Sequence, residues 1–570
     1  MAGRFGPGWS IGLLAGAAIC FSTPLFSEVP SSGIETVPAE VASPTQISES
    51  TRGPGPMLGA AKLAAMSAPE LSDLASQRRA LFHAELDRLA EGCRTRGMTA
   101  LEERIGGWAW LPDPGEICVP VLPDAVNTLE LSPDEKATLP ELDQRVQRRF
   151  YALRQAYAVE LTAIARALVR KGASTQAMTL VFAAVRENPD DVRLRRILGQ
   201  HAYQGAWRTA WEVTQMKAGM VDHPQFGWIG KRDVERYESG KRPLNGKWVS
   251  ESDDAAAHAT MDNGRFIESE HFRLRTSVSL EEGVVLLRRL EMFYAVWSQL
   301  FVGYSATPAE IAVMFGEKVG GSATSRSAAK LQVALFADRE DYIRTLRPMA
   351  PMIEKSLGFY HAQTRHAYFF RGGDEECTIY HEATHQLFRE RQRTSGNGPV
   401  YNFWMVEAIA CYFETLREDA PSPGSGYTSA SGDGMETENG TGLGVAGGRF
   451  RRLGGVDAPR MLAARLRLLE HHFYVPLRQL AMLDSEQFQQ HPNAVQIYTQ
   501  SAGLAQFFMH AQGGMYRDAF VDTLYDIYAG KGRADSLARA AGRSLEELDE
   551  EYRAYIDRIG VPEGLRMATP

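Results

Sequence analysis

Two histidines and a glutamate stand in the pentapeptide His-Glu-Ala-Thr-His at residues 381–385. In a helix, residues i and i+4 lie one turn apart on one face, so the imidazoles of His381 and His385 can reach a single ion. Zn²⁺ accepts neutral imidazole and carboxylate ligands in a tetrahedral site. Glu382 lies beside a ligand on the same helix, where its carboxylate can take a proton from a zinc-bound water. The spacing predicts a metal site with a general base.

A catalytic zinc site has three protein ligands and an open position, so a third ligand must be found. The extended metzincin pattern would require a glycine at residue 388 and a third histidine at residue 391. The chain has Phe388 and Arg391 there, which excludes that class. Glu390 lies just beyond the second histidine on the same helix and cannot easily turn back to the same ion. The third ligand must therefore come from another element.

An apolar segment at residues 404–414 predicts a second helix a short loop further on. Glu407 is the preferred third ligand, because it supplies a carboxylate on a separate helix. Glu414 follows it by two helical turns and suits a contact that holds a ligand imidazole, or is an ordinary surface carboxylate. His381, His385 and Glu407 thus complete a three-ligand set.

The two helices resemble those of the gluzincins, zinc peptidases with a peptidase MA-like, thermolysin-type catalytic core. Residues 407–412 are similar to the Asn-Glu-Gly-x-Ala-x-Tyr segment of aminopeptidase-type members, with Val406 in place of the Asn and Ala408 in place of the Gly. No Gly-x-Met-Glu-Asn-like element precedes the first helix, so the resemblance does not extend to aminopeptidase activity. Residues 175–560 also resemble secreted bacterial proteins with a peptidase MA-like domain, many from planctomycete-type genomes, which bring no known substrate.

The resemblance implies Zn²⁺ as the cofactor and a peptide or protein as the substrate, although the ligand chemistry alone would also admit Co²⁺ or Mn²⁺. Gluzincins use a Tyr or His to donate a hydrogen bond to the oxyanion of the tetrahedral intermediate. Residues 498–504 resemble the Tyr-x-x-Gly helix that carries this tyrosine, with Ser501 in place of the Gly. Tyr498 is thus the expected oxyanion donor, and the alternative is a core tyrosine near a helix start.

Length and composition limit the number of domains and the kinds of partner that the chain can have. At 570 residues and 44% hydrophobic content, the chain is long enough for two or three domains. The net charge of −8 and the absence of a basic run disfavour nucleic acid as a partner. Arg4 precedes a short apolar stretch at 9–21, which predicts a secretory signal at residues 1–27 rather than a membrane span. We expect a secreted or periplasmic protein, anchored to the membrane only if the signal is uncleaved.

The pattern along the chain predicts an α+β protein with a mainly helical N-terminal region. We expect a flexible linker at 28–66, helices over 67–250 and a zinc-peptidase domain at 262–560 with a small mixed sheet and a helical subdomain. Within the helical region, 174–204 resembles a tetratricopeptide-type hairpin, with its second arm at 194–203 and a Trp-rich and Gly-rich connector after it. These helices are the candidate surface for a protein partner. Predicted strands are 272–278, 311–315, 331–336 and 366–370, and a long polar loop is predicted at 419–449.

Four cysteines remain after removal of the signal, namely Cys93, Cys118, Cys377 and Cys411. Cys377 precedes His381 by one helical turn and Cys411 follows Glu407 by one turn. If the two helices are antiparallel, Cys377 can bridge to Cys411, which leaves Cys93 to pair with Cys118. The alternative is four buried thiols.

The sequence therefore predicts an exported zinc metallopeptidase of gluzincin type, with Glu382 as general base. The alternative is a noncatalytic cell-envelope scaffold or binding protein in which the metal is structural.

Overall fold

Amphipathic helices form the N-terminal part of the chain in the computed structural model. The structure describes residues 59–109, 115–126, 128, 133–316, 329–373, 375–393, 399–418 and 450–561. The first elements are α1 (Ala60–Ala65), α2 (Ala68–Arg94), α3 (Thr99–Ala109), β1 (Ile117–Pro120), α4 (Pro133–Thr138), α5 (Glu141–Arg170), α6 (Ser174–Glu187) and α7 (Val192–Ile197). The predicted signal lies outside the described residues, as does the predicted linker as far as residue 58. The linker prediction is wrong at its end, because α1 lies within it.

Local sequence explains where these helices begin and which face they bury. Ser67 caps α2 in a capping box with Glu70, which satisfies backbone N–H groups at the helix start. Along α5, Phe150, Leu161 and Leu168 belong to one buried face with helical spacing. The described part of the chain has one large hydrophobic core that runs from these helices into the C-terminal half. No described helix combines the length and apolarity that crossing a bilayer requires.

The predicted tetratricopeptide-type hairpin is correct in its first arm and wrong in its second. Asp191 caps α7 by accepting hydrogen bonds from the N–H groups of Arg193 and Leu194, as the turn sequence predicts. The helix then ends at Ile197, and Gly199 adopts a φ of 77° that turns the chain into a strand. The last four residues of the expected second arm form a β-strand, Gln200–Tyr203.

Three hairpin-helix units follow α7, where the sequence predicts only a connector in a helical region. Their elements are β2 (Gln200–Tyr203), β3 (Ala206–Thr209), α8 (Ala210–Lys217), β4 (Met220–His223), β5 (Gly227–Gly230), α9 (Val234–Glu238), β6 (Lys241–Leu244), β7 (Lys247–Ser250) and α10 (Glu251–Ala257). Each pair of strands is antiparallel. The second strand of every unit carries a tryptophan at its second position: Trp207, Trp228 and Trp248. Trp228 packs edge-on against Trp211 of the preceding helix.

A five-stranded mixed sheet follows these units. It is formed by β8 (Arg265–Glu268), β9 (Phe272–Thr276), β10 (Leu331–Phe336), β11 (Gly358–His361) and β12 (His366–Phe370), in the spatial order β11-β12-β10-β9-β8. The central strands β9, β10 and β12 are parallel, whereas the outer strands β8 and β11 are antiparallel to their neighbours. The helices within this region are α11 (Leu280–Leu300), α12 (Val302–Ser305), α13 (Pro308–Met314) and α14 (Arg339–Leu346). Short 3₁₀ segments lie at Lys231–Asp233, Met261–Asn263 and Ile353–Lys355.

Three of the four predicted strands are confirmed, and the one at 311–315 is wrong. These residues belong to α13 and the turn that follows it. Thr307 and Glu310 form a capping box there, and Pro308 occupies the first helical turn, which fixes a helix start. A short apolar run alone does not distinguish a strand from a buried helix.

The C-terminal half is mostly helical, as predicted. Its elements are α15 (Glu376–Glu390), α16 (Phe403–Phe413), β13 (Arg417–Glu418), β14 (Phe450–Leu453), α17 (Pro459–Leu469), α18 (Leu477–Leu480), α19 (Ser485–Gln489), α20 (Ala494–Gly514), α21 (Arg517–Tyr528), α22 (Ser536–Ala541) and α23 (Leu545–Ile559). Non-helical backbone at Ala511–Gly513 interrupts the end of α20. β14 pairs with β13 on one side and with β1 on the other, so the N-terminal region contributes a strand here. The predicted loop at 419–449 lies outside the described residues.

The predicted disulfides are contradicted, because no disulfide joins any cysteine in the described part of the chain. Cys411 is fully buried and contacts His381. The thiol of Cys377 instead lies 3.8 Å from a carboxylate oxygen of Glu375. The two thiols point to different surroundings, so the proposed bridge between the helices does not form.

A buried ion cluster in the helical region gives a prediction for stability. Glu187 accepts hydrogen bonds from Arg154, Arg186 and Trp108, and the guanidinium groups of Arg154 and Arg186 lie 3.7 Å and 4.2 Å from the centre of the indole ring. Glu187→Gln removes the only carboxylate of this described cluster and leaves two buried cations, which costs about 3–5 kcal/mol. Chemical denaturation is expected to show this loss in the free energy of unfolding.

Glu91→Gln is the matched control for that measurement. It removes the exposed i,i+3 partner of Arg94, and such a pair contributes less than about 1 kcal/mol. A Glu187→Gln loss no larger than that of the control would show that the cluster does not depend on its carboxylate charge.

Candidate metal site

Two buried helices provide the candidate metal ligands. His381, Glu382 and His385 lie on α15, which is separated from β12 by five residues, and all three side chains are buried. Glu407 lies on α16, which is buried along its entire length. Its start is fixed by Asn402, whose side-chain amide donates to the carbonyl of Arg533. The packing of α15 against α16 brings the sequence-distant carboxylate to the two imidazoles.

The three ligand atoms form a nearly equilateral triangle. The Nε2 atoms of His381 and His385 are 3.2 Å apart, and Oε2 of Glu407 lies 3.6 Å from the first and 3.7 Å from the second. For a tetrahedral ion with bonds of roughly 2.0–2.1 Å, neighbouring ligand atoms are separated by about 3.3 Å. The geometry therefore fits one small ion held by three side chains, and these residues could bind a metal.

Unsatisfied polar atoms at the same place also fit a cation. Within the described residues, both buried carboxylate oxygens of Glu407 accept no hydrogen bond, and Nδ1 of His385 is likewise without a partner. Burial opposes ionisation of Glu407, but the neighbouring His385 and His381 outweigh it and lower the pKa of this carboxyl. A buried carboxylate without hydrogen bonds is costly unless a cation compensates it. A metal ion would supply that charge.

Glu414 contacts the first histidine, which is one of the two roles that the sequence leaves open for it. Oε1 of Glu414 lies 2.7 Å from Nδ1 of His381, and its other oxygen accepts a hydrogen bond from Nε of Arg460. A carboxylate on Nδ1 favours the tautomer in which Nε2 carries the free lone pair, and Nε2 is the atom that faces Glu407. His381, Cys411 and Glu414 form a second group whose ligand atoms lie within 4.8 Å of one another.

The general base predicted from the sequence is held by the edge strand β11. Oε2 of Glu382 accepts a hydrogen bond of 2.8 Å from the backbone N–H of Tyr360. Burial raises the pKa of Glu382 to about 7, against the opposing effects of the charge on His381 and of this hydrogen bond. A Cβ on Gly358 would lie 3.1 Å from Cγ of Glu382 and 2.7 Å from Cγ2 of Thr378. Glycine is therefore required where this strand passes the helix.

Tyr498 lies in the second turn of α20, close to the other predicted residues. Its hydroxyl is buried and has no hydrogen-bond partner within the described structure. Burial raises the pKa of Tyr498 well above its usual value, and the carboxylate of Glu407 adds to the effect. The structure thus brings Tyr498 to the group formed by His381, His385, Glu382 and Glu407. An unpartnered buried hydroxyl is available to a bound ligand.

The residues excluded from the ligand set lie elsewhere. Glu390 binds Arg365 and Gln386, and Phe388 packs against Tyr528 with ring centroids 5.7 Å apart.

The sequence interpretation missed Tyr360 and Arg460. The strand with Tyr360 is signalled by a compact apolar run before the 366–370 strand, whereas Arg460 has no local signal because 46 positions separate it from Glu414.

Comparison of the chain with protein-family models, with curated proteins and with solved structures gives no significant match. We therefore infer the function from the side chains of the site, their burial and the distances between their atoms.

Proposed function

We propose that this protein is a zinc-dependent metallopeptidase of gluzincin type that hydrolyses peptide bonds outside the cytoplasm. The observation that carries the proposal is the triangle of His381, His385 and Glu407 with Glu382 on the same helical turn. In this proposal, the five-stranded sheet with α15 and α16 corresponds to a thermolysin-type core. The mixed α+β architecture is compatible with that correspondence.

Each side chain has a chemical role that follows from its position. When bound, zinc polarises the substrate carbonyl and makes a water molecule more acidic. Glu382 accepts the proton of the attacking water and returns it to the leaving amine, so that one carboxylate serves both proton transfers. The N–H of Tyr360 fixes one oxygen of that carboxylate and leaves the other for the water. The Tyr498 hydroxyl donates to the carbonyl oxygen as negative charge develops there.

Tyr498→Phe tests the oxyanion role separately from folding. Loss of one preorganised donor lowers kcat by about 10²–10³-fold. Stability is expected to stay the same or to rise, because the substitution removes a buried hydroxyl that has no hydrogen-bond partner among the described residues. Steady-state kinetics and thermal unfolding of the variant measure the two effects.

The matched control is Tyr552→Phe. Tyr552 is a buried tyrosine on α23 that packs against Phe507 of α20, the helix that carries Tyr498. This variant is expected to retain wild-type kcat. Equal kcat in wild type and Tyr498→Phe would remove Tyr498 from the mechanism.

Metal removal tests the proposed activity as a whole. The purified protein is expected to contain one zinc per chain and to cleave members of a peptide library. A chelator should abolish this cleavage, and stoichiometric Zn²⁺ should restore it. Bound zinc without cleavage of any library member would reject the peptidase proposal and favour a noncatalytic scaffold with a structural metal.

A further inference from the structure

We propose that Arg460 is a positioning residue of the metal site that acts on His381 through Glu414. The inference rests on the metal site of the proposed function, but it concerns metal affinity and needs no hydrolysis. It assigns a role to an arginine that comes from α17, an element outside both ligand-bearing helices.

The contacts form a directional chain. The Arg460 guanidinium donates through Nε to Oε2 of Glu414, and Oε1 of Glu414 lies 2.7 Å from Nδ1 of His381. Each carboxylate oxygen therefore has its own partner, so the position of the guanidinium constrains the direction from which the carboxylate meets the imidazole. Charge-assisted hydrogen bonds of this kind are among the stronger ones in proteins, and these groups are largely buried.

The position of Arg460 is set by the start of α17 and by the preceding segment, which packs against the residues that follow α16. It lies in the first turn of α17, after Pro459 at the helix start. Upstream, the N–H of Gly454 donates to Oγ1 of Thr415, the residue that follows Glu414, at 2.7 Å. A Cβ on Gly454 would lie 2.1 Å from Nε2 of His510, so only glycine permits this approach. The segment between β14 and α17 is thus fixed against the residues that follow α16.

Arg460 also bears on whether Glu414 is itself a metal ligand or the residue that orients His381. His381, Cys411 and Glu414 could in principle bind an ion of their own. A permanent positive charge bonded to Glu414 opposes a second cation at that point and already occupies one of its oxygens. The geometry therefore favours Glu414 as the group that orients His381, with the ion on the opposite, Nε2 side of the ring.

Zinc affinity is the direct test, measured by competition with a chromophoric chelator. Arg460→Met is expected to weaken Zn²⁺ binding about 10–100-fold, which is typical for loss of an outer partner of a metal ligand. Arg460→Lys keeps the charge without the planar fork and should recover part of the affinity. The control is Arg467→Met, two turns further along the same helix, where the guanidinium donates to the Thr499 hydroxyl and to the carbonyl of Val495 rather than to Glu414. It should change affinity less than about twofold, since it is outside this chain of contacts.

A double-mutant cycle separates positioning from general damage. If Arg460 acts through Glu414, Arg460→Met should have almost no further effect on zinc affinity in a Glu414→Gln background. The d–d spectrum of the Co²⁺-loaded protein should change in the same way in both single variants. Should Arg460→Met fail to fold, Arg460→Lys completes the same cycle. Wild-type affinity in a folded Arg460 variant, or additive losses in the cycle, would overturn the proposal.

These outcomes are distinct from the failure of the proposed activity. A wild-type protein that binds zinc but cleaves nothing rejects the peptidase, while the affinity series still decides the role of Arg460. A wild-type protein that binds neither Zn²⁺ nor Co²⁺ overturns both proposals.

Discussion

Glu382→Gln is expected to lower peptide hydrolysis by about 10²–10⁴-fold while one zinc per chain remains bound. The amide has nearly the shape of the carboxylate but cannot accept the proton of the attacking water. The three proposed ligands are unchanged, so metal content and metal affinity should stay near those of the wild type. Single-turnover kinetics on a cleaved library peptide, together with metal analysis of the same preparation, measure both properties.

Glu376→Gln is the matched control for the general base. It changes a half-exposed carboxylate in the first turn of the same helix, 3.7 Å from Arg289, and should leave turnover unchanged. Hydrolysis at the wild-type rate in Glu382→Gln, with both variants folded, would reject Glu382 as the base.

Glu407→Gln is expected to weaken zinc binding by more than about 100-fold, because loss of an outer partner of a ligand already costs about 10–100-fold. The metal-free variant should stay folded, since the substitution replaces a buried carboxylate with an isosteric neutral amide. Bound ligand stabilises a protein by about 2.7 kcal/mol when its concentration is 100 times Kd. Zinc at that level should therefore raise the Tm of the wild type and have almost no effect on Glu407→Gln.

Glu382→Gln serves as the control in this experiment because it should show the full zinc-dependent rise in Tm. An equal rise in the Tm of Glu407→Gln would mean that the protein binds the ion without the Glu407 carboxylate, and the ligand set would have to be revised.

The parts of the site that sequence can predict are those coded by local spacing. The two imidazoles and Glu382 share one helix, and a 3.6-residue period fixes their relation without further information. Glu407 and Glu414 follow on the next helix, so one loop separates them from the first set. The capping box of Ser279 with Glu282 at the start of α11 is another interaction between residues close in sequence. Local patterns of this kind can be predicted without knowledge of the tertiary structure, because the interactions involved lie within one or two helical turns.

Contacts between distant segments could not be predicted in this way. Arg460 reaches Glu414 only because β14 pairs with β13 and returns the chain to the end of α16. The proposed bridge between Cys377 and Cys411 failed for the same reason, since it required a relative orientation of two helices that spacing does not encode. The three hairpin-helix units were overlooked although their tryptophans recur, because their four-residue strands are too short to show a clear period.

Zinc K-edge X-ray absorption on the zinc-loaded wild-type protein tests the central claim most directly. An ion held by His381, His385 and Glu407 should show only nitrogen and oxygen in its first shell, at about 2.0–2.2 Å, with scattering from two imidazoles. A sulfur atom at about 2.3 Å would instead place the ion with Cys411 and Glu414, and it would contradict the proposed catalytic centre.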